Sequence, residues 1–96
     1  MRLLPIALAA AALAAPAMAA APHLSADLVA AADARVIVKG AAFACEGTTC
    51  TTRAAASRPA ILCERLVKEV GPVTRFAVDG VAMDEAALSR CNAKAR

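Results

Sequence analysis

The sequence predicts a small α+β domain, an antiparallel β-sheet with two helices on one face and disulfides holding it together. Three observations carry that prediction. Two stretches have helical periodicity with both ends marked, and each places a cysteine on its apolar stripe. Around them lie short β-branched or alternating runs punctuated by Gly40 and Asp79-Gly80. The four cysteines form an even set in a short chain, which permits three connectivities.

The chain starts with a segment of a different kind. Met1-Arg2 is a brief positive start, Leu3–Leu13 is apolar, and Ala17-Met18-Ala19 satisfies the A-x-A rule for signal cleavage. Residues 1–19 are therefore expected to be a signal peptide, cut after Ala19. No cysteine follows at once to carry a lipid. The apolar run is too short and alanine-rich for a membrane span, and the mature chain is expected to have no transmembrane segment. Removing 19 of the 96 residues leaves 77, one small domain, and losing Arg2 lowers the net charge from +3 to +2.

That balance, with Phe43 and Phe76 the only aromatics, excludes a nucleic-acid surface of the basic, base-stacking kind. It also leaves a core to be built from Val, Leu, Ile and Ala. Such a domain is marginal without covalent staples.

Residues 20–34 are alanine-rich and are expected to be a tail or linker, or else a short helix capped by Ser25 and running through Ala32. The domain proper is expected over 35–96. Arg35–Lys39 is β-branched and ends at Gly40; Ala41–Cys45 is a second strand. Glu46-Gly47-Thr48-Thr49 is read as a four-residue hairpin loop and Cys50–Arg53 as the returning strand.

Ser57 is the expected N-cap of the first helix, Pro59 suits its first turn, and Gly71-Pro72 ends it. Pro59, Leu62, Cys63, Leu66, Val67 and Val70 recur at three- and four-residue spacing. The Glu64–Lys68 pair contributes only about 0.2–0.5 kcal/mol, so burial of this stripe must hold the helix. Val73–Val78 reads as a strand with Phe76 and Val78 on one face, Asp79-Gly80 as a turn, and Val81–Met83 as a brief return. Asp84 is the N-cap of a second helix, with Met83 and Leu88 at staple spacing. Glu85 suits the positive end of its dipole, and Arg90 and Lys94 the other end. Its stripe is Ala87, Leu88 and Cys91.

Both helices thus bury a cysteine on the face turned to the sheet, which pairs Cys63 with Cys91 and leaves Cys45 with Cys50. On the loop-entropy model these rings of 29 and six residues contribute about 3.6 and 2 kcal/mol.

The motifs Cys45-Glu-Gly-Thr-Thr-Cys50, Ser57-Arg-Pro-Ala-Ile-Leu-Cys63, Leu66-Val-Lys-Glu-Val-Gly71, Phe76 with Gly80, and Leu88-Ser-Arg-Cys91-Asn92 carry a resemblance across residues 35–95. The chain resembles a family of small exported alphaproteobacterial proteins without assigned function. The resemblance implies fold and location, with Phe43 as the aromatic before the first cysteine, and no catalytic residue.

Candidate chemistry is sparse. A redox-active pair needs a thiolate at a helix N-terminus in C-x-x-C spacing, and neither cysteine pair has it. The gaps of four, twelve and 27 residues between cysteines are not a zinc-knuckle pattern. His23, the only histidine, falls in the expected tail, and Pro22 beside it lacks the N–H that an N-terminal copper clamp deprotonates. Asp84 and Glu85 are explained by helix capping, and Arg53 and Arg58 around Ser57 by solvation, although an anion at that helix start would suit them.

The expectation is a non-catalytic exported protein without a cofactor or metal, in the periplasm or outside the cell. Its role would be structural or interactive; the sequence identifies no partner, and an envelope protein is one candidate. Two alternatives differ in class: a thiol–disulfide redox protein or sensor using Cys45–Cys50, and an inhibitor of a secreted hydrolase presenting the Glu46–Thr49 loop.

Overall fold

The computed structural model describes residues 21–54 and 57–96. The expected leader, residues 1–19, lies outside them. Six strands form one antiparallel sheet: β1 (His23–Leu28), β2 (Arg35–Val38), β3 (Ala41–Glu46), β4 (Thr49–Arg53), β5 (Val73–Val78) and β6 (Val81–Ala82). Helix α1 (Pro59–Val70) connects β4 to β5, and α2 (Glu85–Asn92) follows β6. The spatial order is β2-β3-β4-β1-β5-β6. Both helices contribute buried side chains to the single core on one face of this sheet. The α+β architecture is the expected one.

The first strand corrects the reading of residues 20–34. His23–Leu28 is neither tail nor helix; it is an interior strand between β4 and β5. The residues show why. Leu24, Ala26 and Leu28 are buried while His23, Ser25 and Asp27 are half-buried on the other face, a period of two. The alanines around them hide this alternation. Pairing is continuous on both sides, Ala26 facing Cys50 of β4 and Phe76 of β5. Beyond Asp27 the β5 register shifts at a bulge, so that Val73 meets Leu28 and enters the core while Thr74 stays exposed. The expected domain start at Arg35 is therefore too late.

β4 and β5 are each antiparallel to β1, so they run parallel to one another and cannot be joined by a hairpin. The α1 crossover makes that connection.

The hairpins follow their turn residues. Lys39-Gly40 and Asp79-Gly80 have φ of 48° and 80°, and of 50° and 85°, which matches the right-handed twist of the flanking strands. The β3–β4 turn is shorter than expected, because Glu46 still pairs with Thr49 and only Gly47-Thr48 lie outside the ladder. The loop is two residues, not four.

In α1 the stripe buries Leu62, Cys63, Leu66 and Val67, and the Gly71 N–H closes on the Val67 carbonyl. A buried Leu or Val contributes about 1.5–3 kcal/mol, well above any surface ion pair. Ser57 is not the N-cap; Arg58 holds that place with extended backbone and no side-chain cap. Pro59 supplies the rigid entry, and its missing N–H leaves one donor fewer to cap. For α2 the cap is the expected one, Asp84 Oδ1 accepting from the Ala87 N–H at 2.8 Å. The helix ends at Asn92, so Lys94 lies beyond it.

The core also differs in composition from the expected aliphatic one. Phe43 and Phe76 are its largest fully buried side chains, and all four cysteines are in it. Among the described residues isoleucine is missing from it: Ile37 is 63% exposed and Ile61 half-buried.

Two outcomes test this description. A chain beginning at Arg35 loses the strand that separates β4 from β5, and circular dichroism should show it unfolded where the chain beginning at Ala20 is folded. The Asn92 side chain accepts from the Val73 N–H at 2.9 Å and donates to the Val73 carbonyl at 2.8 Å. Asn92→Ala leaves both backbone groups unpaired beneath α2, and urea titration should show a loss of about 1–3 kcal/mol.

Candidate functional site

The cysteines and the hairpin that carries two of them are the natural place to look for chemistry. Cys45 and Cys50 face each other in the β3–β4 ladder and are bonded, with Cα atoms 4.0 Å apart. The backbone explains the closeness. The Cys45 N–H donates at 2.8 Å to Ala34, on the β2 side, which makes Cys45–Cys50 a non-hydrogen-bonded pair toward β4. Such pairs bring strands nearest together. Cys63 and Cys91 join α1 to α2 across a Cα distance of 5.8 Å.

Each cystine is enclosed. Cys45 is 6% exposed, Cys91 2%, and Cys50 and Cys63 are inaccessible. A thiolate must reach a sulfur in line to exchange with it, and burial denies that approach.

The hairpin tip is exposed, but its backbone is held. The Gly47 carbonyl accepts from the Ala32 N–H at 3.2 Å and the Thr48 carbonyl from the Leu28 N–H at 2.7 Å. The chain leaving β1 therefore wraps the tip and ties its backbone to the domain.

The other singled-out residues lie apart. His23 sits in β1, where its backbone N–H donates to Asp79 Oδ1 at 2.9 Å and its carbonyl accepts from the Asp79 N–H at 2.7 Å. Its role there is to close the sheet end against the β5–β6 turn. Asp84 caps α2 and Glu85 occupies its first turn, so the adjacent carboxylates share a structural task. Arg53 donates from its guanidinium to the Ala21 carbonyl at 3.1 Å, while Arg58 begins α1. No group of three His, Cys, Asp or Glu side chains stands close enough to hold a metal ion among the described residues.

Residues 8–93 match the model of DUF8200, a family of unknown function. The chain belongs to that family. No curated protein and no solved structure matches it. DUF8200 membership agrees with the expectation of a family without assigned function, and it transfers no active-site residue to this chain.

Sequence reasoning missed two features. One is the double hydrogen bond from Asn92 to Val73. The other is a pair of clefts along the outer side of β2, where α1 forms the facing wall. The second has no sequence signature, because it depends on which strand ends up at the sheet edge.

The two bridges should contribute unequally. Replacing both Cys63 and Cys91 by Ala frees α2 from α1 and should lower stability by about 2–5 kcal/mol. Replacing both Cys45 and Cys50 releases a ring of six residues already held by its ladder, at a cost of about 2 kcal/mol or less. Thermal denaturation of the two double variants checks the ranking; a larger loss from the hairpin pair contradicts it.

Proposed function

We propose that this protein is an exported, non-catalytic interaction module of the cell envelope, acting in the periplasm or outside the cell. The observation that carries the reading is the state of its cysteines. All four are paired, none is free, and every one is in the core. Small domains stabilised in this way belong to oxidising compartments, because cytosolic thiol pools keep such cysteines reduced. The leader-like residues 1–19 point the same way. Among the described residues no helix is long and apolar enough to cross a membrane.

The interaction role follows from what the side chains offer. The candidate acid–base, nucleophilic and redox residues are spent on capping, sheet closure and core bridges. A rigid, cross-linked domain has little ordering cost left to meet on binding, which suits recognition.

Cell fractionation with mass spectrometry of the purified protein tests the reading. The expected product lies in the periplasmic or secreted fraction, begins at Ala20, and has a mass lower by four hydrogens than the reduced chain. A cytoplasmic protein with four alkylatable thiols would contradict it. Equilibration against thiol–disulfide buffers tests the non-redox part. Both bridges should stay oxidised to below about −300 mV, whereas a potential near the roughly −120 to −200 mV of dedicated oxidants would favour a redox role.

A further inference from the structure

Among the described residues β2 is the outermost strand on its side of the sheet, and no other strand covers its outer edge. Its ladder with β3 reaches further back than the strand itself. In the register that pairs Arg35 with Ala44, the Ala34 carbonyl accepts from Cys45 and the Ala32 N–H donates to Gly47. Antiparallel bonding alternates, so Ala32, Ala34, Val36 and Val38 spend their backbone groups inward. Asp33, Arg35 and Ile37 turn theirs out of the sheet. Three residues, each with an N–H and a carbonyl, thus form a template for one more strand.

That edge does not face open solvent alone. Helix α1 packs on β2 and walls it. Two clefts of about 360 and 270 Å³ lie between them, in series, both bordered by Ile37 and Glu69. Val36, Val70 and Ala32 border the first cleft and Val38 the second. The charges are lopsided at the second cleft, where Lys39, Arg65, Lys68 and Arg96 stand against Glu69, while in the first Arg35 stands with Asp33 and Glu69. Over the two clefts together five cations stand against two carboxylates. Without residues 1–19 the chain has a net charge of +2, and its positive excess gathers at the second cleft.

We propose that this groove binds an extended acidic peptide segment of a partner protein, which adds as a seventh strand beside β2. The proposal rests on the interaction reading above and names its site. Main-chain bonds to Asp33, Arg35 and Ile37 supply affinity, and acidic side chains turned toward α1 meet Arg65 and Lys68. A second copy of this chain fits less well, since it would bring the same cations against themselves. Short length and charge also serve to blunt an edge against aggregation. A blunted edge, however, has no use for a 63%-exposed isoleucine at its centre.

The test uses the mature, oxidised protein and an acetylated, amidated hexapeptide alternating glutamate and valine, which places carboxylates on one face and apolar side chains beside Ile37. Titration followed by amide NMR should shift Asp33, Arg35, Ile37 and the 65–69 segment of α1. The same peptide with lysine for glutamate should not bind, and Arg65→Glu with Lys68→Glu should weaken binding at least about tenfold. Ile37→Pro removes an N–H that the sheet does not use, and should abolish binding with the thermal midpoint kept. Should that variant unfold, a peptide N-methylated on the amides facing β2 makes the same deletion from the other side and should fail to bind.

Equal binding of the lysine peptide, or pyrophosphate competing as well as the peptide at equal concentration, would overturn the proposal in favour of a non-specific or simple anion site. Concentration-dependent dimerisation lost in Ile37→Pro would overturn it in favour of self-pairing. If the peptide does not bind while an envelope partner is cross-linked through another face, the groove proposal falls and the interaction reading stands.

Discussion

Helix α2 buries only one side chain completely, Cys91, and that side chain is bonded to the centre of α1. The position of both helices over the sheet turns on this link. Leu88 and Ala87 are half-buried, so α2 brings too little apolar area to hold itself in place. One residue further on, Asn92 grips both backbone groups of Val73 at the start of β5. The covalent bond sets the separation of the helices, and the amide sets where α2 lies on the sheet. Cys63 and Cys91 share one buried core with Leu62, Leu66 and Phe76.

The sheet has its own dependence, on β1. A crossover through α1 leaves β4 and β5 parallel and one strand-width apart, and only a strand already present can fill the space. β1 fills it with small and medium side chains, Ala26 lying between Cys50 and Phe76. An alanine there is a fitted residue: a larger one would press on the Cys45–Cys50 bridge on one side and on an aromatic ring on the other. The helix layer and the strand layer are therefore closed by different devices, covalent in one and topological in the other.

Much of this was legible in the chain. Capping at Asp84, the Asp79-Gly80 turn and the cysteine on each helical stripe are local signals with short-range physical causes, and the structure contains the corresponding elements. What escaped depends on the rest of the molecule. The alternation of Leu24, Ala26 and Leu28 is real, but alanine marks a buried strand and a mobile linker equally well, and only neighbours on both sides decide between them. Ser57 is a good N-cap by type, yet Arg58-Pro59 supplies the turn into α1 without it. Asn92 has no local role that would single it out. The groove beside β2 exists because strand order left that edge outermost, which pattern within one segment does not encode.

Function follows from the same division. The side chains best suited to chemistry hold the fold, while the cations of the second cleft lie beside β2, the outermost strand among the described residues. On the function proposed above, such a domain recognises a partner. The whole account depends on which sulfurs are joined. Thiol blocking of the protein as isolated, followed by proteolysis without reduction and mass spectrometry of the linked peptides, tests that most directly. The account predicts one product joining the peptides of Cys63 and Cys91 and a second holding Cys45 and Cys50. Blocked thiols at Cys63 and Cys91, or links from either to the hairpin, would contradict it.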